Sequence, residues 1–392
     1  MEESMPEIQT YSKKTIVTHD VHDERHYGAV THPIYQNSLF TFETHEELEE
    51  ALAFEVSSMI YTRGNNPTVR LLEERLAELE GGEEARCFAS GMAAISAAIL
   101  STVQAGDHIV CVDGCYGPAR RLMKEYLVKF QVETTFVDGK DMMQVLGAVR
   151  PNTRLIYLES PTSILFELQD LEQIAALAKK IGAKTIIDGS WASPCFQSPL
   201  SNGIDMVVHS MTKYISGHSD LIGGVVIGAK QHIDQLFREE FQLFGGILHP
   251  QSASLFMRGL RTLPLRMHKL QENGFKVAHY LENQSFIIKM NHPGLKSHPQ
   301  HELYCSQMSG SGSLFSFETH IPMERMRYWA NQLQYFRKGI SWGGFESLVY
   351  MPNQPDNRVI VRLYVGLEEP VDLINDLKQA FASIGAEHQS VI

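Results

Sequence analysis

The sequence predicts an α/β fold: a mostly parallel central sheet, helices on both faces and a smaller C-terminal α+β domain. Two observations carry that expectation. Short apolar runs at 107–113, 154–158, 184–188, 206–209 and 223–228 read as buried strands, and helical stretches at 91–103 and 170–181 lie between several of them. After about residue 250 this alternation stops. A longer helical tract runs on from Ser252, followed by turn-forming Gly294, Pro299 and Ser309-Gly310-Ser311-Gly312 and strand-like runs at 314–318 and 358–365. A chain of 392 residues is long enough for such a two-part organisation.

In chain order, residues 1–64 contain Pro6 and Pro33 and little periodicity, and read as an extended arm free to reach a neighbouring subunit. Residues 65–250 form the main α/β domain. Its first helix begins with Asn66 as a cap and Pro67 at the first helical position. Val69, Leu72, Leu76 and Leu79 recur at helical spacing, and Gly81-Gly82 ends the helix. Residues 251–392 form the smaller domain, where Gly310-Ser311-Gly312 reads as a turn because no strand–turn–helix unit surrounds it.

Composition narrows the function. The net charge of −12, with no basic block, argues against nucleic-acid binding. No apolar run of about 18 residues suggests a membrane span. The acidic, polar first residues lack the apolar core of a signal peptide, so a cytoplasmic protein is expected. The five cysteines are scattered: Cys111 and Cys115 have no second pair at zinc-site spacing, so neither disulfides nor a metal site is expected.

The most informative stretch is Val207-Val208-His209-Ser210-Met211-Thr212-Lys213, running into Tyr214-Ile215-Ser216-Gly217-His218-Ser219-Asp220. Lys213 follows an apolar strand and is placed to form a Schiff base with an aldehyde, while Ser210 and Thr212 can hold a phosphate. That pairing points to pyridoxal 5'-phosphate (PLP). PLP chemistry also needs an acid at the ring nitrogen, an aromatic face, a phosphate cup and a clamp for the substrate carboxylate. Asp188, at the carboxyl end of a strand, is the candidate acid. Ser90-Gly91-Met92 opens a helix of small residues whose free amides attract phosphate. Tyr116, in the turn Gly114-Cys115-Tyr116-Gly117-Pro118, can stack on a ring. Tyr61 and Arg63 are suited to phosphate from the end of the arm. Arg362 in a strand-like run suits a carboxylate, with an internal salt bridge as the alternative.

With these residues assembled, the sequence resembles the Cys/Met-metabolism family of PLP enzymes, the γ-family of fold type I. The matching runs are Pro33-Ile34-Tyr35-Gln36, Tyr61-Thr62-Arg63, Glu159-Ser160-Pro161 and the segment 203–224 around Lys213. Further matches are Arg258-Gly259-Leu260-Arg261-Thr262-Leu263, His298-Pro299-Gln300 and Arg362-Leu363-Tyr364-Val365-Gly366-Leu367-Glu368. The resemblance implies that Lys213 bonds the cofactor and moves protons, and that Asp188 pairs with the pyridine nitrogen. It implies that Gly91, Met92, Ser210 and Thr212 hold the phosphate, with Tyr61 and Arg63 supplied by a neighbouring subunit. Tyr116 matches the stacking tyrosine, and Ser341 and Arg362 match groups near the substrate carboxylate. A homotetramer built as a dimer of dimers is implied too.

Ser163-Ile164, Trp191 and Ser341-Trp342-Gly343-Gly344 look like bacterial cystathionine β-lyases. Arg63-Gly64-Asn65-Asn66-Pro67-Thr68 looks more like γ-lyases and γ-synthases. Arg121 falls near a position where the β-lyases have an acid that helps receive the substrate's distal amino group, and Ile340 stands just before Ser341, where cystathionine γ-lyases tend to have a glutamate. The resemblance therefore implies a carbon–sulfur lyase of sulfur amino-acid metabolism, with β-elimination of cystathionine expected first. The alternatives are cystathionine or methionine γ-elimination, γ-synthesis from an activated homoserine and, remotely, a non-catalytic PLP-binding protein.

Overall fold

In the computed structural model, residues 11–19, 26–353, 356 and 358–386 are described. The first sheet is built from β1 (Glu84–Phe88), β2 (His108–Val112), β3 (Glu133–Val137), β4 (Thr153–Glu159), β5 (Lys184–Asp188), β6 (Met206–His209) and β7 (Gly224–Gly228). Their order across the sheet is β1-β7-β6-β5-β4-β2-β3. Pairs from β6 through β5, β4 and β2 to β3 are parallel, whereas β7 runs antiparallel to both its neighbours. All five residues of β2 and of β7 are buried, as expected for strands covered on both faces.

The second sheet contains β8 (Ile287–Asn291), β9 (Leu314–Thr319), β10 (Arg337–Lys338), β11 (Leu348–Tyr350) and β12 (Val359–Tyr364), ordered β10-β11-β12-β9-β8. Only the β10–β11 pair is parallel. Helices Leu263–Glu282, Met323–Gln332 and Pro370–Ser383 contribute to its core, where the Trp329 and Phe381 rings stack 4.9 Å apart.

Local chemistry explains the element ends. The Asn66 side chain accepts from Thr68 N at 3.0 Å, Pro67 fills the first turn, and Gly81 ends helix Pro67–Glu80 at φ 81°. Helix Gly91–Leu100 is three residues shorter than the 91–103 expectation, and Asp107 and Asp113 lie just outside β2.

The expectation of an extended arm needs correction. Helices Lys13–Thr18 and His45–Ala53 occur within it, capped by Ser12 and Thr44. The first docks back on its own chain: Ile16 and Val17 are buried, and Lys13 Nζ donates to Pro194 O and, at 3.2 Å, to Ser198 Oγ. Each is too short to display sustained periodicity, so the caps were the only signal.

β1 and β3 were not anticipated as strands. β1 carries a charge inward: the Arg86 guanidinium is buried against Glu73 at 3.1 Å and Asn65 at 3.0 Å. β3 is a sheet edge and keeps a polar face.

Candidate active site

The carboxyl ends of β2, β4, β5 and β6 face the same side of the first sheet, the usual ligand side of an open α/β sheet. A cavity of about 370 Å³ lies there, lined by Asp188 from β5, Glu159 from β4, Lys213 from the turn after β6, and Gly91 and Met92 from a helix start. The second sheet closes it with Arg362 of β12 and the loop residues Ile340, Ser341 and Trp342. Lys213 meets that loop closely. A Cβ on Gly343 (φ 94°) would stand 2.7 Å from the Lys213 backbone, so only glycine fits.

Lys213 Nζ donates to Ser341 Oγ at 2.8 Å and lies 5.3 Å from the Trp342 ring centroid. Burial lowers its ammonium to about 8, the positive Arg362 adds to the effect, and Asp188 opposes it. Asp188 is buried and accepts from Ser190 N at 3.0 Å. Burial pushes its carboxyl up, while the Ser190 hydrogen bonds and the nearby His209 and Lys213 pull it down. Arg362 is also buried, which lowers its guanidinium. Its Nη2 donates to Ile340 O at 2.5 Å, and its Cζ stands 5.1 Å from the Tyr350 ring centroid. Among the described residues it makes no ion pair, so the internal salt bridge weighed as its alternative is not found.

At the other end of the cavity, Ser90 Oγ accepts from Ala93 N at 3.0 Å, ahead of which the Gly91 and Met92 amides open the helix. A Cβ on Gly91 would meet Ser210 Oγ at 3.0 Å, so the missing side chain lets Ser210 sit against these amides. The Ser210 amide donates to Ser190 Oγ at 2.7 Å, and Thr212 Oγ1 accepts from Gly223 N at 3.1 Å. Tyr116 overhangs the cavity, with its phenol pushed up by burial and by Asp188 and Glu159.

Of the residues singled out from sequence, the cavity gathers Lys213, Asp188, Tyr116, Gly91, Met92, Ser210, Thr212, Ser341, Arg362 and Ile340. Tyr61 and Arg63 do not line it. Both are exposed, and Arg63 Nε donates to Gln242 Oε1 at 3.3 Å. Arg121 also lies outside the cavity, exposed and paired with Glu125 at 3.1 Å on its own helical turn. Sequence reasoning gave no role to Glu159, Ser163, Ser190 or Ile222, all of which line the cavity. Register was the available signal for Glu159, which ends β4 directly beside Asp188 on β5.

The residues present fit PLP. A desolvated lysine, a buried carboxylate and a buried guanidinium without a carboxylate partner converge on one space. Two hydroxyls and two helix-start amides line the same cavity. Among the described residues no group of three or more His, Cys, Asp and Glu side chains could hold a metal ion.

A model of the Cys/Met metabolism PLP-dependent enzyme family matches residues 14–382. The cystathionine gamma-lyase of Bacillus subtilis (strain 168) is 37% identical over 95% of this chain and 100% of its own length. The cystathionine beta-lyase of Lactococcus lactis subsp. cremoris is 36% identical over 94% of this chain and 98% of its own. Among solved structures, a Campylobacter jejuni chain assigned as an O-acetylhomoserine (thiol)-lyase superposes with a TM-score of 0.89 at 29% identity. It covers 94% of this chain and 99% of itself, and contains N'-pyridoxyl-lysine-5'-monophosphate.

Proposed function

The chain belongs to the Cys/Met metabolism PLP-dependent enzyme family, of fold type I, and is a PLP-dependent carbon–sulfur lyase; we propose β-elimination of cystathionine as its leading activity. The products are homocysteine, pyruvate and ammonia. The convergence of Lys213, Asp188 and Arg362 on one cavity carries the carbon–sulfur lyase chemistry, and the choice of β-elimination rests on the sequence features that follow. Ser163-Ile164, Trp191 and Ser341-Trp342-Gly343-Gly344 support β- over γ-chemistry, as features shared in look with bacterial β-lyases.

When bound, PLP supplies the electron sink for the pair left on Cα. In this reading Lys213 holds the cofactor aldehyde and, once freed, takes the Cα proton through its neutral amine. Ser341 keeps Nζ on the cavity side by their 2.8 Å hydrogen bond. Asp188, a buried carboxylate in the cavity wall, would hold the pyridine nitrogen protonated. Arg362 grips the substrate carboxylate in the bidentate geometry open to a guanidinium without an ion-pair partner, which fixes the Cα–H direction. Tyr116 stacks on the ring and assists proton transfer. Gly91, Met92, Ser210 and Thr212 receive the phosphate. Tyr61 and Arg63 of a second copy complete that end, in a homo-oligomer built as a dimer of dimers; both are exposed and away from their own cavity.

The test is to incubate PLP-loaded protein with L-cystathionine and identify the keto acid by mass spectrometry. Pyruvate with homocysteine is the expected result. 2-Oxobutyrate with cysteine would replace this reading by γ-elimination, which the similarity to the Bacillus subtilis cystathionine gamma-lyase favours. That route needs a second proton removal, at Cβ, for which Lys213 is again the base.

A further inference from the structure

Glu159 is a buried acid that the reaction above does not use. It ends β4, its register partner on β5 is Asp188, and both line the cavity. Neighbouring strands run about 4.8 Å apart, so two buried carboxylates in register cannot both ionise cheaply.

Their partners show which one keeps its charge. Asp188 accepts from Ser190 N and lies near the Lys213 ammonium, both of which favour its charged form. Glu159 makes no ion pair among the described residues, and Arg362, the cation that feels its charge, makes none either. Its Oε2 accepts from Tyr116 N at 2.6 Å, and its Oε1 hydrogen-bonds Ser163 Oγ. The serine hydroxyl donates to Oε1 when Glu159 is ionised, and a neutral Glu159 keeps both contacts by turning that one round, with a carbonyl oxygen for the amide and an O–H for the serine. Burial and Asp188 push the Glu159 carboxyl well up, in agreement with that assignment. A Ser163 hydroxyl that accepts from Glu159 has its own hydrogen left to donate, and Ser163 lines the cavity.

We propose that Glu159 is a positioning residue: as a neutral acid it anchors the Tyr116 backbone through Oε2 and directs the Ser163 hydroxyl into the cavity as a hydrogen-bond donor. The inference rests on the PLP site described above but not on the choice of substrate. The other titratable groups facing Glu159 are Asp188, Cys111, Cys115, Tyr116, Tyr157 and Arg362. None of them is altered by the variants below.

The test uses PLP-loaded Glu159→Gln, Glu159→Ala and Ser163→Ala, each titrated by the visible absorption of bound PLP and assayed for kcat/KM. Glutamine supplies the same carbonyl acceptor and an N–H donor in place of the O–H. Glu159→Gln is expected to keep the wild-type spectral pKa and kcat/KM within about threefold. Glu159→Ala and Ser163→Ala should move the spectral pKa in the same direction, and their effects should fail to add in the double variant. Glu159→Ala should also lower kcat/KM by about tenfold or more, through the loosened Tyr116 turn. A Glu159→Gln variant as perturbed as Glu159→Ala would overturn the proposal, because the anion would then be the working form. So would Glu159→Ala or Ser163→Ala with a wild-type titration. The spectrum reads the site even if cystathionine proves not to be the substrate, so the two failures are distinguishable.

Discussion

At the scale of single residues, Lys213 carries a titration with a definite sign. With its ammonium lowered to about 8, about a tenth of the side chain is neutral at pH 7. Only that neutral amine attacks an aldehyde. The rate at which PLP-free protein captures PLP, followed by absorbance, is therefore expected to rise with pH and level off above about 8. A lysine held below its ordinary 10.5 is disfavoured in its charged form, so its contribution to stability should also improve as pH climbs from about 8 towards 10.5. A capture rate that does not rise as pH approaches about 8 from below would remove Lys213 as the titrating group. Arg362→Ala should lower kcat/KM by roughly thirtyfold, about 2 kcal/mol, mainly through a higher KM, with Arg362→Lys recovering only part. An unchanged KM would mean that the carboxylate is held elsewhere. Both residues were legible in the sequence because each sits in a local run that marks its element. Glu159 was not, because its importance comes from lying in register with Asp188, a residue 29 positions later that only strand pairing brings alongside.

Strands and helices test the same site through glycine. β7 packs so closely on the phosphate end that a Cβ on Gly224 would stand 2.4 Å from Ser90 O and 2.8 Å from Gly91 Cα. Those are backbone atoms, which cannot rotate aside. Gly224→Ala is therefore expected to cost about 1–3 kcal/mol in unfolding free energy and to weaken PLP binding by displacing the Gly91 and Met92 amides. Gly147 is the matched control: it ends helix Met142–Gly147 with no atom within 4 Å of its added Cβ. Gly147→Ala should leave PLP affinity unchanged and stabilise by up to about 1 kcal/mol. Thermal unfolding and PLP dissociation measured on both variants decide this, and equal effects would refute the packing argument. The runs at 184–188 and 206–209 coincide with β5 and β6, because buried central strands carry apolar cores, here Ile186-Ile187 and Met206-Val207-Val208. β1 and β3 escaped notice for opposite reasons. β1 buries Arg86 inside a polar network, whereas β3 sits at an edge where polar residues are tolerated.

For the whole molecule, the open question is how a site assembled in one chain uses residues that lie outside it. Tyr61 and Arg63 stand away from their own cavity, and the Arg63 guanidinium lies 5.3 Å from the Tyr61 ring centroid, so the two form one exposed patch. Local sequence marked them as phosphate ligands, but neither lines the cavity of its own chain. In a symmetric dimer the patch of each copy would reach the cavity of the other. That arrangement predicts complementation. Lys213→Ala lacks the lysine but offers an intact arm, while Arg63→Ala lacks the arginine but keeps the lysine. Each variant alone should be nearly inactive. After mixing under subunit exchange at equal amounts, about half of the dimers are hybrid and each hybrid has one intact site of two. About a quarter of wild-type activity should then return. Recovery near that level would establish that the arm acts in trans. Failure to recover, with hybrids verified by native mass spectrometry, would mean that Arg63 acts within its own chain, because the hybrid would then pair one chain without lysine with one without arginine.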